Sequence, residues 1–149
     1  MTDPVHHLVH DHAELNARVL ELGARVRTLG HDEETGALGS SLRELRERLF
    51  LHFAREEEGL FPFVADALGE LTERVNAMAV AHDTICGALA RMCHLASSNA
   101  SRSALTPLFE RFETAYAEHA QAEAALLADL DGRLDADHRR LLSELVAGV

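Results

Sequence analysis

The sequence predicts an all-α fold: an up-down-up-down four-helix bundle with a short extra C-terminal helix. Three observations predict it. Apolar residues recur at steps of three and four along four long segments. No segment of useful length alternates with a period of two, so no sheet is expected. The connections are short, which makes consecutive helices neighbours. The chain has 149 residues, room for one domain with a core of its own. That domain is expected to span residues 1–149, with the bundle core over about 4–131.

The first stripe is Val5, Leu8, His12, Leu15, Val19, Leu22, Val26 and Leu29. Asp3 supplies an N-cap acceptor, Pro4 suits the first helical position, and Gly30 ends the segment. Residues 30–36 read as a loop. The second stripe is Leu38, Leu42, Leu45, Leu49, His52 and Glu56. It runs into Gly59-Leu60-Phe61-Pro62, where proline must break or kink the helix. Residues 63–68 continue as a short helical turn before Gly69. The third stripe is Leu71, Val75, Met78, His82, Ile85, Leu89, Met92 and Ala96. Residues 97–103 form a polar Ser-rich linker. The fourth stripe is Leu105, Leu108, Phe112, Ala115, His119, Glu123, Leu126 and Leu130. A last amphipathic segment, about 135–146, is expected to pack across one end of the bundle.

Composition narrows the function. With 47% apolar and 26% charged residues, the chain is globular and not disordered. No apolar run approaches the ~20 residues that span a bilayer. The net charge is −11, which argues against a nucleic-acid partner, since a phosphate backbone needs a basic footprint. All 14 basic residues are Arg, a compositional bias and not a functional sign. The first twelve residues lack a basic start and an apolar stretch, so no secretory signal is expected. Cys86 and Cys93 on one helix stand about 10 Å apart along its axis, too far for a disulfide. Reduced thiols and no signal point to the cytoplasm.

The ten histidines are too many to pass over. Four of them, with two glutamates, occupy positions that the helical period assigns to the core: His12, His52, Glu56, His82, His119 and Glu123. An unpartnered buried carboxylate costs several kcal/mol. A metal cation satisfies carboxylates and imidazoles together. The arrangement also repeats. His12 is followed 40 residues later by His52-x-x-x-Glu56, and His82 is followed 37 residues later by His119-x-x-x-Glu123. A spacing of four puts His and Glu one turn apart on the same face. Each helix pair thus supplies two imidazoles and one carboxylate, half of a dinuclear site. Such ligands suit iron, manganese or zinc and not calcium. A single structural zinc needs four ligands, and six are too many. The Glu-x-x-His spacing of ferritin-like di-iron bundles does not occur.

These strings resemble the hemerythrin-like (HHE cation-binding) family. The resemblance rests on Val9-His-Asp-His12-Ala-Glu-Leu, His52-Phe-Ala-Arg-Glu56-Glu-Glu-Gly-Leu-Phe-Pro62, Ala81-His82-Asp-Thr-Ile and His119-Ala-Gln-Ala-Glu123. It covers the chain from about residue 5 to 130. It implies a non-haem di-iron centre, two iron ions inside a four-helix bundle. His12 and His52 would bind one iron, His82 and His119 the other. Glu56 and Glu123 would bridge them, with an oxo or hydroxo group completing the bridge. The oxygen-carrying members of the family have a fifth His four residues after the one matching His82. Here that position is Cys86. They also carry an Asp five residues after the last His, where this chain has Glu123 at four. Reversible oxygen carriage therefore does not carry over directly, and a coordination position stands open unless Cys86 fills it.

The remaining polar residues have plainer readings. His6 and His10 are spaced to bind a stray metal but lie off the stripe, where exposure is expected. His7, His31, His94 and His138 read as surface or helix-end residues. Glu57 and Glu58 either support or supplement the ligands or form a solvated helix face, and the solvated face is the reading taken. Tyr116 either donates to a ligand of the centre or fills the core with its hydroxyl at the edge. Three functions are compatible with the six residues. One is a protein that binds or senses oxygen, peroxide, nitric oxide or iron. Another is a redox enzyme with catalase-like, peroxidase or nitric-oxide-reducing activity. The third is a bundle merely stapled by its metal. The expected partner is a small diatomic or peroxide ligand.

Overall fold

Asp3 starts the first helix as the sequence predicts: its side chain accepts a 2.9 Å hydrogen bond from the Val5 N–H, and Pro4 opens the first turn. The structure is a computed structural model and describes residues 3–149. Helix α1 spans Pro4–Thr28. A loop and a short 3₁₀ turn, Gly36–Leu38, lead to α2, Gly39–Arg55. In the loop, buried Thr35 donates through its backbone N–H and its hydroxyl to the Ala100 carbonyl, at 2.9 and 2.7 Å.

The chain does not break at Pro62. It stays helical through a π turn, Glu56–Leu60, and into α3, Phe61–Ala67. The Phe61 N–H donates to the Glu56 carbonyl, five residues back. Proline has no N–H to give to a carbonyl four residues earlier. The wider turn absorbs that loss, so the expected kink takes the form of a π turn.

Helix α4 spans Thr72–Ser97, α5 Arg102–Asp131 and α6 Ala136–Ala147. Asp135 caps α6, accepting from the His138 N–H at 2.8 Å. Helix α1 packs on α2 and α5, and α4 packs on α2 and α5, which closes a helical bundle. Helix α6 lies against α1 and the π turn at one end. Among the described residues there is no β-strand, and no helix is long and apolar enough to cross a membrane.

The bundle has two apolar clusters. One gathers Leu15, Val19, Leu22, Leu42, Leu45, Leu49, Ile85, Leu89, Met92 and Phe112. The other gathers Val5, Leu8, Leu60, Val64, Val75, Met78, Leu126, Leu130, Leu142 and Val146. Along α1, His12 falls between the two sets, and so do His52 on α2, Glu56 at the start of the π turn, His82 on α4, and His119 and Glu123 on α5. A polar layer thus separates two apolar ones. Its position follows from the stripes, because each helix carries its ionisable residues where one cluster ends and the other begins.

Candidate metal centre

All six ionisable residues of the stripes are buried. Glu56 and Glu123 have 0% exposure, and no histidine of the four exceeds 7%. The structure brings them together from four helices. Each imidazole turns its Nε2 toward the carboxylates. His52 Nε2 lies 3.0 Å from Glu123 Oε1 and 3.2 Å from Glu56 Oε1. His12 Nε2 and His119 Nε2 both lie 3.5 Å from Glu123 Oε2. His82 Nε2 lies 3.4 Å and His119 Nε2 3.8 Å from Glu56 Oε1. Each carboxylate therefore reaches imidazoles of both helix pairs.

The donor set fits a metal. Neither oxygen of Glu56 accepts a hydrogen bond, although the residue is fully buried. A cation beside it offsets a cost of several kcal/mol. His82 Nε2 and His119 Nε2 face each other at 3.2 Å. Two nitrogens on one metal at about 2.0–2.1 Å stand at a similar separation. Two compact groups of possible ligand atoms result, Glu56-His82-His119 and His52-Glu56-Glu123, and Glu56 is common to both. His12 approaches the second group through Glu123.

Aromatic rings fix the imidazoles. Phe53 stacks on His82 with ring centroids 3.7 Å apart, and its edge meets His119 at 5.3 Å. Phe61 lies over His82 at 5.6 Å. These rings pack apolar surface against His82 and His119, which strengthens electrostatic contacts within the layer.

The charges perturb one another. Burial works against a charged His119, but the Glu123 and Glu56 carboxylates beside it outweigh it and raise the imidazole to about 9. His52 is raised in the same way by Glu123, against burial. His12 is lowered, chiefly by burial. Burial opposes ionisation of Glu123, yet hydrogen bonds to His119 and His52 hold it well below the ordinary carboxylate range. Without metal, Glu123 and the imidazoles of His52 and His119 stabilise one another's charged forms.

Cys86 is half-buried and is not one of the converging groups. Burial, with Glu57 and Asp83 nearby, pushes its thiol up to about 11, so it stays protonated near neutral pH. Tyr116 is buried, and its hydroxyl donates to Asn16 Oδ1 at 2.7 Å. Burial and the Glu123 and Glu56 carboxylates raise it above its usual range. His6, His7, His10, His31 and His94 are exposed, as the sequence predicts. His6 lies near Asp3 and Asp131, and Arg139 already lies against both of those carboxylates. His138 is half-buried, with Phe63 against its ring.

One neighbour of the histidines escaped the sequence reading. Phe53 follows His52 directly and was not separable from ordinary core. Glu57, read as a solvated face with a supporting role to the ligands as the alternative, is exposed and places Oε1 3.7 Å from His82 Nδ1. The one signal for it is Pro62, which sets the π turn on which Glu57 sits.

A family model described as the hemerythrin HHE cation binding domain matches residues 3–130. No curated protein and no solved structure matches the chain.

Proposed function

The chain belongs to the hemerythrin HHE cation-binding family, and on that premise we propose that its polar layer holds two iron ions. His12 and His52 serve one ion, His82 and His119 the other, and Glu56 and Glu123 join them. The observation that carries this reading is the reach of the carboxylates. Glu56 touches His52 of one helix pair and His82 of the other, and Glu123 touches His52 and His119 in the same manner. A mononuclear site has no use for two such shared, fully buried carboxylates.

The reading takes the bundle as four long helices running up-down-up-down, with α6 across one end. Helices α1 and α4 meet the Val5–Leu130 cluster first and the Leu15–Phe112 cluster second, and α5, like α2 with the π turn that follows it, meets them in the reverse order. That alternation supports antiparallel neighbours.

Iron bound here supplies one-electron chemistry and an affinity for dioxygen, peroxide and nitric oxide. The protein's part is to hold the ligands. Phe53 and Phe61 keep His82 in place, and Glu123 is kept ionised by the imidazoles around it. The partner is a small diatomic or peroxide ligand, bound or sensed in the cytoplasm. A second reading, a di-iron redox enzyme acting on peroxide or nitric oxide, is favoured by Cys86. Its thiol stays protonated where the oxygen-carrying relatives place a histidine, which leaves a coordination position for substrate.

The test is elemental analysis of untagged protein from iron-replete cells. About two irons per chain are expected. His52→Ala and Glu123→Ala should abolish dinuclear binding and lower thermal stability, and His94→Ala, on the exposed face, should do neither. Wild-type protein that melts cooperatively with no metal would overturn the reading. Loss of metal in His94→Ala would overturn the ligand assignment.

A further inference from the structure

Two consecutive glutamates bracket the imidazole of His82. Glu56 Oε1 lies 3.4 Å from its Nε2, and Glu57 Oε1 lies 3.7 Å from its Nδ1. On a regular α-helix, neighbouring residues diverge by about 100° and do not share one partner ring. Here both glutamates open the π turn Glu56–Leu60, whose wider turn reduces the angular step between neighbours. The two carboxylates consequently meet opposite edges of one histidine on α4.

We propose that Glu57 is a positioning residue for the centre: it holds the proton of His82 on Nδ1, so that Nε2 is presented bare. The proposal rests on the metal reading above and adds to it a residue outside the six. A ring nitrogen that binds a metal must be free of its proton, and the hydrogen bond made by the other nitrogen decides which one is free. Around His82 that choice is contested. Its Nε2 faces Glu56 Oε1 at 3.4 Å. That acceptor would draw the proton to Nε2, where a metal ligand cannot have it. Glu57 is the counterweight on the other edge.

The surroundings fit this role. His82 is 2% exposed, and its Nδ1 has no hydrogen-bond partner. Glu57 is half-exposed, with a side chain free to move, and lines a cleft of about 190 Å³ beside His82 and Cys86. The 3.7 Å separation is longer than a direct hydrogen bond. A small rotation of the Glu57 side chain, or one water in the cleft, closes it. The Phe53 stack holds the ring at the angle that keeps its two edges facing the two carboxylates.

The experiment reads the ring nitrogens of His82 by nitrogen-15 NMR in metal-free protein, at a pH where the ring is neutral. Wild type is expected to carry the proton on Nδ1. Glu57→Ala should move it to Nε2. Glu58→Ala, which removes the same charge from the same cleft, should leave it on Nδ1. In protein loaded with iron, Glu57→Ala should weaken metal affinity about 10–100-fold, read by competition with a chelator, and Glu58→Ala should match wild type. An Nε2–H tautomer in wild type, or the same tautomer in wild type and Glu57→Ala, would overturn the proposal. Because the tautomer is read without metal, a chain that binds no iron but shifts its proton in Glu57→Ala would defeat the di-iron reading alone.

Discussion

The Tyr116 hydroxyl donates a 2.7 Å hydrogen bond to Asn16 Oδ1 and so ties α5 to α1 one turn before His119. Tyr116 is 5% exposed, and Phe112 stacks beside it at 5.9 Å. The hydroxyl is committed to a neighbouring helix, not directed at the centre. Its role is to tie α5 to α1 beside the polar layer.

Tyr116→Phe should therefore cost about 1 kcal/mol, the net worth of one hydrogen bond whose acceptor partly reaches solvent. For a chain of this length that is a fall in Tm of about 2–4 °C. Asn16→Ala should cost a similar amount, and the double variant little more than either single one, since both remove the same bond. Thermal unfolding checks the energies and elemental analysis checks the metal, which should be unchanged. Loss of metal in Tyr116→Phe would place the hydroxyl among the ligands instead.

The metal-free protein should show a pH signature of its own. His119 is raised from 6.5 to about 9 by Glu123 and Glu56, which overcome burial. The folded state then binds more protons than the unfolded one between those values, so this stabilisation is whole below pH 6.5 and is lost as pH rises through about 9. His52 acts in the same direction. His12, lowered by burial, and Glu123, lowered by its histidine partners, act oppositely. Their contributions are lost as pH falls below the ordinary values of 6.5 and 4.5. The Tm of metal-free protein should peak near pH 6.5 and decline on both sides. Bound metal needs neutral imidazoles, so loading at pH 7 should release protons, and affinity should rise toward pH 9. Calorimetry in buffers of different ionisation heat measures that release. A metal-free Tm still climbing between pH 7 and 9 would contradict the ion network.

Most of the layer was legible because its residues break a rule. A histidine or glutamate on an apolar stripe is conspicuous, and the spacing of four in His52/Glu56 and His119/Glu123 says that the pair shares a face. Helix boundaries were legible for the same kind of reason, from Asp3 and Pro4 at one end of α1 to the Ser-rich segment before α5. The π turn was not. It differs from an α turn by one residue in the hydrogen-bonded ring, and apolar periodicity does not resolve that difference over five residues. Pro62 announced a disturbance without saying whether the chain would break, bend or widen. Glu57 is exposed, as the solvated-face reading expects, but its approach to His82 was not legible, because on a regular helix it would face away from α4. Thr35 also escaped notice. Its burial depends on the Ala100 carbonyl, 65 residues away, and no local pattern encodes that contact.

The π turn also explains why position 59 is glycine. Helix α6 seats its backbone directly on this turn. A Cβ added to Gly59 would stand 3.2 Å from both the carbonyl carbon and the oxygen of Leu145, and 3.3 Å from the Cα of Val146. The contact is backbone on backbone, so no side chain can rotate aside. Gly59→Ala should push α6 away and loosen the burial of Leu142 and Val146, at a cost of about 1–3 kcal/mol. The effect should be local at first. Amide hydrogen exchange in 136–147 should quicken more than in α2 or α5, because α6 touches the bundle only at one end. Gly87→Ala is the matched control. It lies in the interior of α4 with nothing within 4 Å of an added Cβ, and it should stabilise the protein by about 0.5–1 kcal/mol through helix propensity. Thermal unfolding of the two variants should therefore move in opposite directions. A Gly59→Ala protein that melts at or above wild type, with α6 amides exchanging no faster, would show that α6 is free to shift and that the turn does not seat it.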